Sequence, residues 1–286
     1  MNYKLFFHKL YLAWLKRTKA KSNQKSRAVW MTKGYNNTPE VSFIIQSHNK
    51  SLEVCHIVSK LRNNQNSEII VLDDGSTMEH SKRIMSELNG ANEFVIHAND
   101  LFEIIMYDRA IRMANGKFIV LLQDDDNFPN LDWVDKGIHY MNRFPDMVIL
   151  GGNGGHDFVL KEETKQGVGV PYSEKKGGEF RFVHHVDRAP MFINKDLFLD
   201  KIKHINYEFA PFQFDDCEMC LRAWLNGLKV GWFDAGFTSL SAGGMRIWNN
   251  TFLAEQCEIN SRLLYDKFVG KIETIDALVD KSNEDL

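Results

Sequence analysis

The chain has 286 residues, 44% hydrophobic and 26% charged, with a formal net charge of -3. That is a globular composition with enough apolar material for a sizeable core, in one large domain or two small ones, and it argues against a general nucleic-acid binder. Four cysteines, Cys55, Cys217, Cys220 and Cys257, fit a reduced, cytoplasmic compartment and give no disulfide framework; Cys217 and Cys220 have no second pair to complete a zinc site and fall on a helical stripe, where core packing is the expected role.

Residues 1–27 carry eight Lys or Arg and no Asp or Glu, interleaved with Leu5, Phe6, Phe7, Leu10, Leu12, Trp14 and Leu15. Charges interrupt every apolar run, which argues against a signal peptide, and no stretch reaches the ~18 apolar residues of a membrane-spanning helix. A basic amphipathic helix with Trp and Phe fits a segment lying on an anionic membrane surface, with residues 1–26 as the contact. The alternative is a helix docked on the domain or on a partner. Residues 22–40, polar and containing Gly34 and Pro39, read as a linker.

From residue 41 strands and helices alternate. VSFII (41–45), EIIVL (68–72), EFVIH (93–97) and KFIVLL (117–122) read as strands; 51–62, 78–88 and 101–114 read as helices, the last stopped by Asn115-Gly116. Strands apolar on both faces, alternating with helices, predict a parallel sheet covered on both sides. The second half is more irregular. Helices are expected at 131–144, 214–228 and 251–268, short strands around 147–151, 157–161, 179–185 and 229–233, and a frayed tail from 280.

Polar clusters follow three of the strands: Gln46 to Asn49, Asp73 to Ser76, and Gln123 to Asn127 with three consecutive carboxylates, Asp124, Asp125 and Asp126. If these strands are parallel neighbours, the clusters share the edge where open α/β sheets bind ligands. Like charges so close need water or a cation between them, and hard oxygen ligands suit Mn²⁺ or Mg²⁺. Such an edge suits a nucleotide plus a metal: Asp74 accepting from a base N–H, His48 stacking on the base or bonding to it, the aspartates holding a cation against a diphosphate. No Gly-rich phosphate loop with Lys is present.

The ordered series VSFIIQSHNKS, EIIVLDDGST, GKFIVLLQDDDN and FDDCEMCLRAW resembles glycosyltransferase family 2 over roughly residues 41 to 240. The resemblance implies an α/β GT-A fold, a mostly parallel central sheet flanked by helices with a smaller acceptor-side half. It implies inverting transfer of a sugar from a nucleotide-sugar donor. Residues 1–40 are then a basic segment and linker, 41–240 the catalytic domain (41–130 for the nucleotide-sugar, 131–240 for the acceptor), and 241–286 a C-terminal loop and helix. Carried over by position, Gln46, His48, Asn49, Asp73, Asp74, Asp124 and Asp125 belong to the donor site, with Asp73 bracing its turn. Asp124 with Asp126 is the favoured metal pair, and Asp124 with Asp125 the alternative. Asp216 takes the position of the catalytic base. Asp215, Glu218, His185 and Trp248 are acceptor-side candidates, and the loop 241–248 with Arg246 is a candidate lid or, equally, an ordinary connector. The chain departs from the family in three places: Gln46-Ser47-His48-Asn49 after the first strand, Tyr107-Asp108-Arg109 before the fourth, and no His after His204 to complete a metal shell.

Other readings apply to single residues. Asp215 and Asp216 could be a helix cap, and a base at a helix start is made less basic by the helix dipole. His184 and His185, adjacent on a strand, face opposite ways, so only one can line the acceptor pocket. The reading as a whole is a metal-dependent glycosyltransferase using a nucleoside-diphosphate sugar, with a UDP-sugar favoured, on a glycan or lipid-linked acceptor in surface polysaccharide synthesis, held peripherally at the inner membrane face. Its alternatives are a catalytically silent sugar-binding subunit and a nucleotidyltransferase, whose Gly-rich signature is absent.

Overall fold

A computed structural model describes residues 3–32, 34–172, 180–241 and 250–286. The chain forms two compact units, Met1–Asn37 with Gly90–Asn92, and Thr38–Asn89 with Glu93–Leu286. In the first, a single helix α1 covers Tyr3–Met31. The linker expected from residue 22 is therefore helical as far as Met31. Lys, Arg, Gln, Ser and Ala all tolerate a helix, and no Gly or Pro interrupts the run before Gly34. The apolar residues of α1 do not form one stripe: at 100° per residue Leu5, Phe6, Trp14 and Leu15 point to different sides, and Leu5, Phe6, Phe7, Leu10 and Trp14 are exposed.

The second unit is built on β1 (Val41–Ser47), α2 (Ser51–Leu61), β2 (Ser67–Asp74), α3 (Met78–Glu87), β3 (Glu93–Ala98), α4 (Phe102–Met113) and β4 (Phe118–Leu122). β5 (Asp126–Asn127), α5 (Asp132–Arg143), β6 (Met147–Gly151), β7 (Gly155–Lys161), β8 (Gln166–Pro171), β9 (Phe180–Phe182), β10 (His185–Val186) and β11 (Met191–Asn194) follow. The chain then gives α6 (Lys195–Leu197), α7 (Asp215–Leu225), β12 (Lys229–Phe233), β13 (Thr238–Ser239), α8 (Asn250–Phe268) and α9 (Ile272–Glu284). The main sheet has the order β3-β2-β1-β4-β11-β6-β12-β9. Its first four strands are parallel, β11 runs antiparallel to both β4 and β6, and β9 antiparallel to β12. The parallel half is the one that strand–helix alternation predicted. A three-stranded sheet β10-β7-β8 and a two-stranded pair β13-β5 complete the unit.

β1, β4 and β6 are buried along almost their whole length, so their apolar runs have packing on both faces. Trp133 of α5 sets the core on one side, with ring centroids 6.1 Å from Phe43, 5.4 Å from Phe128 and 5.6 Å from Phe192. The amino-terminal edge of the parallel strands is tied by a buried Glu68. Its carboxylate accepts from Ser42 Oγ at 2.7 Å, from the Asn115 amide at 3.0 Å and from the Asn115 peptide N–H. Gly116 then presses against β1 so closely that a Cβ would stand 2.5 Å from Ser42 Oγ.

Several elements differ from expectation: the strand expected at 179–185 is two, β9 and β10, in different sheets, and β8, β11 and α9 are not foreseen in the sequence pattern. The 214–228 helix is shorter, Asp215–Leu225, because Gly227 takes φ +73° and turns the chain into β12. The tail expected to fray is instead the end of α9, where Asn283 exchanges hydrogen bonds with both backbone groups of Phe182, each at 2.9 Å, so that its amide covers the edge of β9 as a neighbouring strand would.

Glu68→Ala removes a buried acceptor and strands three donors, which should lower unfolding stability by about 2–3 kcal/mol. Urea denaturation checks this, and a change below about 0.5 kcal/mol would reduce Glu68 to a surface-like position.

Candidate active site

The order β2-β1-β4 sets the three polar strand ends side by side, with Ser47 in register with Asp73. The His48 peptide N–H donates to Asp124 Oδ2 at 3.3 Å, joining the first and fourth strand ends. The His48 ring donates from Nδ1 to the carbonyl of Asp74 at 2.6 Å, and Nε2 accepts from the Asn49 amide at 3.0 Å. A carbonyl can only accept, which fixes the tautomer. With both nitrogens engaged, His48 has its ring face left to offer a ligand. Asn49, at φ 58°, ties the β2 turn: its N–H donates to Ser76 Oγ and its Oδ1 accepts from the Thr77 N–H, both at 2.8 Å. Gln46 is half-buried at the end of β1.

Asp73 is buried and braced by Ser81 at 2.5 Å and the His97 ring at 3.0 Å. Asp74 is 5% exposed, and its two oxygens accept from the Leu101 and Phe102 N–H groups at 3.0 and 2.8 Å. Asp74 thus holds the loop into α4, where Asp100 and Phe102 stand at φ 54° and 58°. Each oxygen keeps a lone pair for a further donor.

The aspartate triplet turns between β4 and β5. Asp124 faces Lys50, with Nζ 3.6 Å from Oδ1, and Lys50 also donates to Ser241 at 2.8 Å. Burial pushes the Asp124 carboxyl up to about 6, with Lys50 and the His48 N–H opposing. Asp125 and Asp126 are each 6% exposed. Asp126 Oδ2 accepts from the Gln123 N–H at 2.9 Å, and burial raises its proton affinity well above the usual carboxylate range. Among the described residues no three His, Cys, Asp or Glu converge as a metal cage. Two buried carboxylates with raised proton affinity still fit a cation that takes its remaining ligands from water and a diphosphate, as Mg²⁺ does.

On the other side of the edge, α7 starts after Gln213 and Phe214, both left-handed at φ 77° and 66°. Neither aspartate caps the helix; Phe214 occupies that place with no side-chain cap. Asp215 is fully buried and ion-paired with Arg188, whose other arm meets Glu103 at 3.0 Å. Asp216 is part-buried, accepts from the Cys217 N–H at 2.8 Å and makes no ion pair among the described residues. Burial raises both carboxyls, Arg188 opposing in each case. The lowered basicity expected from the helix dipole is outweighed by burial. Glu218 is engaged elsewhere, paired with Arg222 at 2.9 Å.

His185 lies buried on β10, stacked on His156 of β7 at 4.8 Å and 7°, and burial holds its pKa well below the usual value. Burial is the largest single influence on the His156 pKa and lowers it, but the 2.9 Å bond to Asp187 together with the charges of Asp187, Asp216 and Asp157 outweighs it, and the net direction is up. His184 instead bridges Asp157 at 3.3 Å and Asp276 of α9 at 2.7 Å. In the Tyr107-Asp108-Arg109 departure, Asp108 is a buried brace for the Ile205 N–H and the Tyr207 hydroxyl. Cys217 and Cys220 are buried core residues. Trp248, Arg246 and the loop 242–249 lie outside the described residues. Sequence reasoning missed Lys50, Glu103, Asp187 and Arg188. Lys50 stands inside the first motif and Asp187 beside Arg188, but nothing in the local sequence names their partners, which long-range pairing alone reveals.

Comparison with known proteins gives the same architecture. The model of glycosyl transferase family 2 matches residues 42–222. The glucosyl-dolichyl phosphate glucuronosyltransferase of Haloferax volcanii is 26% identical over 97 residues, covering 33% of this chain and 30% of that protein. Among solved structures, S. aureus TarS 1–349 in complex with UDP-GlcNAc superposes with TM-score 0.53 at 16% identity, over 72% of this chain and 59% of that one. The mannosyltransferase PcManGT from Pyrobaculum calidifontis, in complex with GDP-Man and Mn²⁺, superposes with TM-score 0.51 at 12% identity, over 77% and 64%. The chain thus spans less than two thirds of the length of each of these relatives. The structural likeness identifies the GT-A fold.

The Asp124 environment predicts a pH effect in EDTA. This carboxyl loses its proton near 3.8 when unfolded and near 6 when folded. Between those values the folded state binds more protons, so this group's contribution to stability falls as pH rises, by on the order of 2–3 kcal/mol. Asp124→Asn should therefore match the wild type at pH 4 and melt higher at pH 7. Equal melting at both pH values would remove the buried-charge penalty assigned to Asp124.

Proposed function

Because the chain belongs to glycosyl transferase family 2, we propose that it is an inverting, metal-dependent glycosyltransferase that moves a sugar from a nucleoside-diphosphate sugar to a hydroxyl of a glycan or lipid-linked acceptor. The observation that carries this reading is the carboxyl edge of the sheet. Asp74 and the Asp124–Asp126 turn flank the end of β1, while Asp216 is a carboxylate with no ion pair among the described residues.

The base stacks against the His48 face, with Asp74 accepting from its N–H; Gln46 and Asn49 complete the pocket, and Asp73 keeps the turn in place. Asp124 with Asp126, or with Asp125, holds the cation. When bound, Mn²⁺ or Mg²⁺ neutralises charge on the departing diphosphate. The acceptor hydroxyl gives its proton to Asp216 while its oxygen bonds to the anomeric carbon in line. The bond from that carbon to the diphosphate oxygen breaks, which inverts the centre. Asp215 is taken by Arg188 and Glu218 by Arg222, which favours Asp216 as the base. His185 backs the His156–Asp187 pair on the acceptor side. A UDP-sugar is the favoured donor, and surface polysaccharide synthesis the favoured setting. No described helix is long and apolar enough to cross a membrane. The basic, aromatic residues 1–26 suit peripheral attachment to an anionic inner membrane face.

A screen of nucleotide-sugars, including UDP-GlcNAc and GDP-mannose, tests the reading. At least one should raise the melting temperature and be turned over with Mn²⁺ or Mg²⁺, and EDTA should abolish turnover. Full turnover in EDTA would exclude the metal role.

Asp216→Asn keeps size and the Cys217 contact but cannot take a proton. It should bind nucleotide like the wild type, melt within a few degrees of it, and lose on the order of 10²–10⁴ in rate. Near-normal transfer would move the base elsewhere; loss of nucleotide binding would place Asp216 in the donor site.

A further inference from the structure

The acids assigned to donor and to base are joined through Arg188 by polar contacts and two steps along the chain, Phe102 to Glu103 and Asp215 to Asp216. Asp74 accepts from the Leu101 and Phe102 peptides. The next residue, Glu103, divides its carboxylate: Oε1 accepts from the Gln213 N–H at 3.4 Å, and Oε2 meets Arg188 Nη1 at 3.0 Å. Arg188 Nη2 meets Asp215, the immediate neighbour of Asp216. The Arg188 side chain is 4% exposed and its guanidinium lies over the Tyr107 ring, 5.1 Å from its centroid. The Tyr107 hydroxyl donates to Leu122 O at 2.7 Å, at the end of the strand that leads into the aspartate triplet.

Both backbone segments joined in this way are left-handed. Phe102 stands at φ 58° on one side, Gln213 and Phe214 at 77° and 66° on the other. None is a glycine, so each conformation is held by its surroundings. The Phe102 and Phe212 rings also touch, at 5.8 Å. A fully buried Asn260 donates to the carbonyls of Phe209, Phe212 and Gln213 at 2.8–2.9 Å, fixing the second segment from behind. A buried arginine with two carboxylate partners is a geometric clamp; its forked, planar donors hold direction as well as charge.

We propose that Arg188 is a positioning residue that couples nucleotide binding to the alignment of Asp216, with Glu103 and Asp215 as its two handles. The proposal rests on the donor and base assignments above. A nucleotide base that bonds to Asp74 draws on the carboxylate that holds Leu101 and Phe102. The displacement reaches Glu103 and then, through the rigid guanidinium, the start of α7. Donor occupancy thereby sets the aim of the base before the acceptor arrives.

Amide hydrogen exchange with and without nucleotide tests this without any acceptor. UDP and GDP, each with Mn²⁺, are first compared by calorimetry on the wild type, and the one that binds is used. In the wild type it should slow exchange at 99–103 and also at 213–218, the latter by about fivefold or more. Arg188→Met and, independently, Glu103→Gln should keep nucleotide affinity within about threefold and keep the 99–103 protection, but lose the nucleotide-dependent difference at 213–218. A merely structural role would raise exchange equally in both ligand states and leave that difference intact. Should Arg188→Met fail to fold, Glu103→Gln, which leaves the Arg188–Asp215 pair standing, decides the matter. Protection at 213–218 that survives in the variants, or is absent from the wild type, overturns the coupling while leaving the functional reading untouched. Loss of nucleotide binding in Arg188→Met also overturns it, since Arg188 would then belong to the donor site. If neither nucleotide binds the wild type, the functional reading falls and the coupling falls with it.

Discussion

Carboxylates converge on one edge of a sheet, and the compensation of their charge is the constraint on which the rest of the site depends. Each solution is local and different. Asp73 uses a hydroxyl and an imidazole, Asp74 two peptide N–H groups, Asp124 a lysine and a peptide, Asp126 a peptide, and Asp215 an arginine. These partners decide what each acid can still do. An acid held by peptide N–H groups stays in place and can accept another donor. Asp215, fully buried against Arg188, is spent on structure, whereas Asp124 meets Lys50 only at 3.6 Å. Asp216, with one peptide contact and no ion pair among the described residues, retains the capacity to take a proton.

Compensation also shapes the backbone. The loop after β3 and the segment before α7 adopt left-handed conformations at non-glycine residues, each of which is costly by on the order of 1 kcal/mol or more. Both are stabilised by side chains in or behind the site: Asp74 for the first, Glu103 and the buried Asn260 for the second. Strain and charge are therefore solved together. Removing one of these acids would relax a loop as well as a field, so an activity lost on mutation does not by itself identify a residue that touches the substrate.

This division explains what was legible in the sequence. The parallel half could be read because its strands are short apolar runs whose polar ends are adjacent in sequence. Asp73, Asp74 and the 124–126 triplet announce themselves as clusters; the β2-β1-β4 adjacency is a condition of the reading, and the sheet order meets it. The other half is assembled at long range. Arg188 meets Glu103 across 85 positions, the difference of their numbers, and nothing near either marks the pair. Asn283 completes the sheet edge at Phe182 from a helix that looked like a fraying tail. The α1 helix could be read as a helix, but the reading of it as amphipathic rests on composition and does not hold, because its apolar residues are spaced around the axis.

The basicity of Asp216 shows how competing local effects resolve. At the first turn of a helix the dipole favours a carboxylate by about 0.3–1 kcal/mol, less than one pKa unit. Burial acts in the opposite sense and is the larger influence, with the nearby charge of Arg188 limiting how far it goes. Asp215 meets that guanidinium directly, whereas Asp216 feels it only as a nearby charge. Adjacent carboxylates on one helix start thereby have different tasks: burial makes both more basic than an exposed aspartate, but Asp215 is held by the guanidinium while Asp216 makes no ion pair among the described residues. A general base works best when its proton affinity approaches the working pH. The arginine that fixes the geometry of the first acid therefore also limits how far the proton affinity of the second is raised.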